Sequence, residues 1–100
     1  MKIRILTSAR NDLADGRDFY DRQAKGVGDY FLDSLFSDID SLALHAGVHR
    51  KVFGFHRLLS NRFPWAIYYR LDGQDVVVVY RVLDCRQDPD KTVAALRRST

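Results

Sequence analysis

Three arginines in the C-terminal half of the sequence could take part in chemistry. Arg57 lies in a predicted strand, Arg81 interrupts an apolar run, and Arg86 follows that run. A guanidinium group binds phosphate through two parallel hydrogen bonds and can stabilise the charge that develops during RNA cleavage. These residues are therefore the candidates for phosphate binding if the protein is a metal-free endoribonuclease. For Arg81 the alternative is an ion pair with Asp84 or with a helix carboxylate, because a charge in an apolar strand requires a partner.

Other residue types that support catalysis or metal binding form no clear pattern. The histidines are His45, His49 and His56. The Ala46-Gly47 pair interrupts any helix that would align them, so we interpret them as solvent-facing or hairpin-edge residues. Gly26-Val27-Gly28 does not follow a strand, as a phosphate-binding loop would. Nothing positions a nucleophile for a Ser/His/Asp triad, and we expect neither a metal nor another cofactor.

The composition is that of a small globular protein. One hundred residues with 46% hydrophobic content predict one domain, residues 1–100, with a single core. Cys85 is the only cysteine and cannot form an internal disulfide, which favours a reducing compartment. No apolar run approaches the roughly 20 residues of a membrane span, and residues 1–6 are too short for the apolar part of a signal peptide. We therefore expect a cytoplasmic protein.

Charge is distributed unevenly along the chain. Residues 1–47 contain eight Asp against six Lys or Arg, whereas residues 48–100 contain ten Lys or Arg against five Asp. The basic excess therefore belongs to the C-terminal half, where it would attract nucleic acid or acidic protein segments. The alternative is that the arginines line solvated faces of strands.

The C-terminal half also contains the clearest strand signals. In Phe63–Leu71 every second residue is aromatic or aliphatic, and this period of two predicts a strand. Asp72-Gly73 supplies a tight turn before the next strand candidate, Asp75–Leu83. Within it Val76–Leu83 is apolar on both faces apart from Arg81, as a central strand would be. Val52–Leu59 is a third candidate. Short turns make these strands antiparallel neighbours.

The N-terminal half predicts a strand followed by two helices. Lys2–Thr7 alternates as a short strand, and the hydroxyl of Thr7 or Ser8 is predicted to cap the first helix. Gly26 suits the left-handed position at the helix end. The second helix has Asp29 near its start, where the helix dipole favours a negative charge.

The predicted order is β-α-α-β-β-β with a short C-terminal helix, an α+β fold. The second helix carries an apolar stripe and ends at Ala46-Gly47, and Asp88 with Pro89 would begin the last helix. The two long helices form a hairpin that must cover one face of the sheet. We predict a core that includes Phe31, Leu35, Ile39, Phe63, Ile67, Val76 and Val78.

Several short motifs recur in order along nearly the whole chain. They are Ala9, Asp12-Leu13, Gly26–Phe31, His56–Leu58, Phe63–Arg70 and Val82–Pro89. Their order and spacing resemble the RelE/ParE superfamily of type II toxin–antitoxin toxins, which includes plasmid stabilization proteins. The resemblance implies a helical hairpin packed on a twisted antiparallel sheet, in agreement with the periodicity. It also implies a growth-inhibiting toxin that a short cognate antitoxin neutralises in a hetero-oligomer.

The superfamily has two activities, and the resemblance favours one of them. RelE-like members cut ribosome-bound mRNA with basic residues on the sheet plus His, Tyr or Glu near the C-terminus, whereas ParE-like members inhibit DNA gyrase without that set. Many relatives have His where Asp84 stands, and residues 87–100 contain no His, Tyr, Phe or Glu. We therefore expect a ParE-like gyrase inhibitor that is not an enzyme. The alternatives are a ribosome-dependent endonuclease that uses Arg57, Arg81 and Arg86, and a non-toxic binding module.

Overall fold

The computed structural model describes residues 1–99, which form a five-stranded sheet with helices on both faces. The elements are β1 (Lys2–Ile5), α1 (Thr7–Gln23), α2 (Val27–Asp40), α3 (Leu42–His45), β2 (Lys51–Val52), β3 (Phe55–Leu59), β4 (Trp65–Asp72), β5 (Val76–Asp84) and α4 (Pro89–Arg98). The strand order is β1-β5-β4-β3-β2. β1 pairs in parallel with β5, and the other neighbours are antiparallel. The predicted α+β fold is confirmed.

The sheet buries a different core on each face because side chains alternate along β4 and β5. Ile67 and Tyr69 face the hairpin of α1 and α2, whereas Ala66 and Tyr68 pack with α4. The hairpin core is the larger of the two and contains most of the predicted residues. None of the helices within residues 1–99 is long and apolar enough to cross a membrane.

The predicted core is confirmed at five of seven positions. Phe31, Leu35, Ile39, Ile67 and Val78 are buried. Phe63 and Val76 are only partly buried. Val76 lies at the first position of β5 beside the turn, and Phe63 lies in the loop before β4, so each leaves one side open to solvent.

The prediction that a hydroxyl caps α1 was wrong. Leu6 occupies the cap position, and no side chain accepts a hydrogen bond there. Ser8 instead donates its hydroxyl to the carbonyl oxygen of Tyr80, 2.7 Å away. β1 ends at Ile5, whereas β5 continues past Val79, so β1 has no residue left to pair with Tyr80. The Tyr80 carbonyl is therefore bound by a helix side chain instead.

The segment Val52–Leu59 is not one strand, as predicted, but most of a hairpin between β2 and β3. The chain turns at Phe53 and Gly54, which have φ values of 55° and 84°. Positive φ at both central residues is the geometry of a tight hairpin turn, usually formed by Asn-Gly or Asp-Gly. A Phe-Gly pair does not give that signal, so the turn was missed.

The second helix is interrupted before Ala46-Gly47, where it was predicted to end. Ser41 separates α2 from the single turn of α3, and its hydroxyl donates to the carbonyl oxygen of Asp38 at 2.6 Å. Such a local bond competes with the helical pattern. The predicted start of α4 is confirmed, because the carboxylate of Asp88 accepts a hydrogen bond from Asp90 N–H. Gly26 is left-handed at φ 88°, but it is the N-cap of α2 and not the end of α1, which stops at Gln23.

Candidate functional site

Arg81 is bound to a carboxylate from the first helix. Its Nε and Nη2 donate to the two oxygens of Asp12 at 2.7 and 2.8 Å, and its Nη1 donates to the Ala95 carbonyl at 3.1 Å. This bidentate pair raises the pKa of Arg81. Of the two alternatives raised from the sequence, Arg81 therefore pairs with a helix carboxylate, that of Asp12 in α1. The guanidinium connects β5 to both α1 and α4.

Arg86 is also paired, and it lies at the end of β5. Its Nε and Nη2 donate to the two oxygens of Asp84 at 3.0 and 2.8 Å, and Nη2 lies 3.3 Å from the hydroxyl oxygen of Tyr20. Burial alone would raise the pKa of Asp84, but the hydrogen bonds from Arg86 bring it below its usual value. Asp84 is therefore a weak base at neutral pH.

Arg57 lies on the face of the sheet that α4 partly covers, in the same row as Arg81, since Tyr68 of β4 pairs with both residues. Arg57 in β3 lies opposite Tyr68 in β4. Both residues, together with Cys85, line a cavity of about 210 Å³. Burial raises the pKa of both the Tyr68 hydroxyl and the Cys85 thiol, and Arg57 opposes both shifts. Both groups therefore stay neutral beside a positive guanidinium at neutral pH.

The three predicted arginines do not converge on one cavity. Arg81 lines a cavity of about 350 Å³ between α1, β5 and α4, together with Asp12 and Asp84. Arg57 lines the separate cavity near the β2–β3 hairpin. The guanidinium groups of Arg81 and Arg86 are already hydrogen-bonded to the carboxylates of Asp12 and Asp84.

Two of the histidines, His49 and His56, pack against the buried side chain of Tyr69. The Tyr69 hydroxyl accepts a hydrogen bond from Gly47 N–H at 2.9 Å and is bonded to Nδ1 of His49. His56 stacks on the Tyr69 ring with centroids 5.0 Å apart. Within residues 1–99, no group of three His, Cys or Asp side chains is arranged to hold a metal ion.

Two features of these surfaces were missed by sequence reasoning. Asp12 was not recognised as the partner of Arg81, although it follows Ser8 by one helical turn and shares its face of α1. Arg70 places its Cζ 4.0 Å from the ring centroid of Phe55, a cation–π contact that depends on the unpredicted hairpin. The alternation of aromatic and basic residues along β3 and β4 could have indicated this second contact.

The comparison with known proteins agrees with this fold. The architecture is that of small toxins in which a helical hairpin packs on a sheet. The model of the family "ParE toxin of type II toxin-antitoxin system, parDE" matches residues 3–89. The chain belongs to this family and is a type II toxin of the ParE kind.

A solved structure supports the same fold. The chain is similar to one from "Chromosomal ParDE TA system from P. aeruginosa", with a TM-score of 0.74 and 21% identity. The match covers 82% of this chain and 92% of that one. No curated protein sequence matches the chain.

Proposed function

We propose that this ParE-family toxin acts in the cytoplasm on DNA gyrase and does not cut mRNA. Membership of the ParE family supports an antitoxin as its physiological partner. The gyrase target is proposed because ParE-like members of the superfamily inhibit gyrase. The observation that favours this target over mRNA is the state of the predicted catalytic arginines: Arg81 and Arg86 are each bound to a carboxylate.

A nuclease would need a general acid or base within hydrogen-bond reach of the reacting oxygen. Asp84 is the carboxylate hydrogen-bonded to Arg86, and its lowered pKa makes it a poor base. The rings of His49 and His56 contact the ring of Tyr69 in β4, whereas Asp84 lies opposite Trp65, at the other end of β4. Four residues of strand separate these positions, roughly 13 Å along β4. The imidazoles are therefore too far from Arg86 to assist it.

The direct test measures both activities with one preparation. We expect the purified protein to inhibit supercoiling by DNA gyrase and to leave ribosome-bound mRNA intact when added to a translating extract. Cuts in the mRNA that disappear in Arg57→Ala, Arg81→Ala or Arg86→Ala would instead establish the nuclease alternative. Absence of both effects, with binding to the antitoxin retained, would identify a non-toxic binding module.

A cellular test separates the same classes. We expect expression of the chain alone to stop growth and induce the DNA-damage response while translation continues, and we expect co-expression of the neighbouring antitoxin to restore growth. Loss of translation before any DNA damage would contradict the gyrase proposal.

A further inference from the structure

A groove runs between the β2–β3 hairpin and α4 on the face of the sheet away from the helical hairpin. We call it the hairpin groove. It consists of two adjoining cavities of about 260 and 210 Å³, and Phe53 lines both. Its lining also includes Arg57, Arg70, Val93, Leu96 and Pro89.

Phe53 is held in an unfavourable conformation that presents its ring to solvent. Its φ is 55°, the left-handed region that a side chain with a Cβ rarely adopts. Its exposed fraction is nevertheless 55%, so the ring is not placed there to fill the core. A strained backbone that presents an exposed aromatic ring between two cavities is typical of a contact residue.

The ionisable side chains that line the hairpin groove are positive or neutral. Within residues 1–99, Arg57, Arg70 and Arg97 line it, and no aspartate does. The cavity on the other side of α4 differs, because Asp12 and Asp84 line it together with its basic residues. Charge complementarity therefore favours an anionic occupant for the hairpin groove.

Arg70 is held in place before any partner arrives. Its Nε donates to the Gly54 carbonyl at 3.2 Å, and its Cζ lies 4.0 Å from the Phe55 centroid and 5.4 Å from the Tyr80 centroid. The guanidinium covers both rings, which reduces their use for stacking on nucleic-acid bases. The aliphatic lining by Val93 and Leu96 suits the side chains of a polypeptide better than bases.

We propose that the hairpin groove binds an acidic segment of the antitoxin. An apolar side chain of that segment contacts Phe53, and its carboxylates pair with Arg57 and Arg70. The proposal rests on the assignment of the chain to the ParE family, which supplies the antitoxin as partner. It does not depend on gyrase being the target, because binding to the antitoxin is measured separately from toxicity.

The test uses substitutions that change the groove with little effect on the fold. Phe53→Asn removes the ring and introduces a residue that tolerates positive φ. Val93→Asp places a negative charge in the groove, and Val93→Lys is its matched control with the opposite charge. Leu44→Asn removes an apolar side chain that is 85% exposed and lies in α3, outside the groove.

We expect Phe53→Asn and Val93→Asp each to weaken binding of the purified chain to its antitoxin by about tenfold or more. Val93→Lys should weaken it less than Val93→Asp, and Leu44→Asn should leave it unchanged. Growth arrest in the absence of antitoxin should persist in Phe53→Asn. Thermal unfolding verifies that each variant is folded. If the Val93 variants do not fold, antitoxin binding by Phe53→Asn alone tests the proposal.

Two results would overturn the proposal. One is that folded Phe53→Asn binds the antitoxin with the same affinity as the wild type, whether or not it still arrests growth. The other is equal weakening by Val93→Asp and Val93→Lys, which would exclude an acidic occupant. A wild-type protein that fails to inhibit gyrase would disprove the proposed target and leave these binding results unaffected.

Discussion

Asp12 binds Arg81 and also accepts a hydrogen bond from the N–H of Val82 at 3.0 Å. β1 ends at Ile5, so β5 has a free edge beyond Val79. One helical turn earlier, Ser8 binds a carbonyl of the same edge. Side chains of α1 thus continue the hydrogen bonding that β1 begins, and they satisfy an edge that could otherwise pair with another chain.

Removal of the Asp12 carboxylate should destabilise the fold strongly. Asp12→Ala leaves the Arg81 guanidinium and the Val82 N–H without this acceptor in a region where the paired side chains are only 11% and 16% exposed. We expect a loss of about 3 kcal/mol in the free energy of unfolding, measured with urea. Asp18→Ala on the same helix removes only an exposed pair with Arg17 and should cost less than about 0.5 kcal/mol. Equal costs would contradict this role of Asp12.

The sequence predicts the elements better than the contacts between them. The alternation in β4 and β5 and the apolar stripe of α2 follow from local periodicity, and both are found. The partner of Arg81 lies 69 residues away, so only the tertiary fold selects Asp12 among thirteen aspartates. The same holds for Ser8, whose hydroxyl binds the free edge of β5 rather than its own helix.

The candidate site was predictable only in its residue types. The basic character of the C-terminal half was evident from sequence, but the hairpin groove depends on the turn at Phe53, which carries no Asn-Gly or Asp-Gly signal. Arg57 was identified, whereas Arg70 was not, because its position depends on the carbonyl of Gly54 in that turn.

Gly16 weakens α1 by local propensity but is required by packing. A Cβ at this position would lie 2.6 Å from two ring carbons of Phe31 and 3.0 Å from the ring of Trp65. Gly16→Ala should therefore lose about 1–3 kcal/mol from overpacking, more than the roughly 1 kcal/mol gained in helix propensity. Combining it with Phe31→Leu should cost less than the sum of the two single changes. Additive costs in urea unfolding would argue against the contact.

Leu35 tests the packing of α2 on the sheet. It is fully buried in the larger core, whereas the next residue, Phe36, is 38% exposed. Leu35→Ala should reduce the free energy of unfolding by about 2–5 kcal/mol, because it removes apolar contacts and leaves a cavity. Phe36→Ala removes more atoms but should cost less, since its ring remains partly in water. A cost below about 1 kcal/mol for Leu35→Ala would mean that α2 is not packed as described.

His49 should make the stability of the protein depend on pH near neutrality. Burial lowers its pKa below the usual 6.5, and the nearby charges of His56 and His45 lower it further. Since Gly47 N–H donates to the Tyr69 hydroxyl, that hydroxyl can donate its own proton to Nδ1 of a neutral His49 imidazole. The folded protein therefore favours the neutral form of His49.

The sign of the effect follows from proton binding. Between the lowered folded pKa and the unfolded value of 6.5, the unfolded chain binds more protons at His49 than the folded chain. The stability contributed by His49 is thus complete above pH 6.5 and is lost as the pH falls through the lowered pKa. We expect urea unfolding at about pH 7.5 and about pH 5.5 to show a larger decrease for the wild type than for His49→Gln, which does not titrate in this range. Equal decreases in the two proteins would show that His49 is as easily protonated in the folded chain as in the unfolded one.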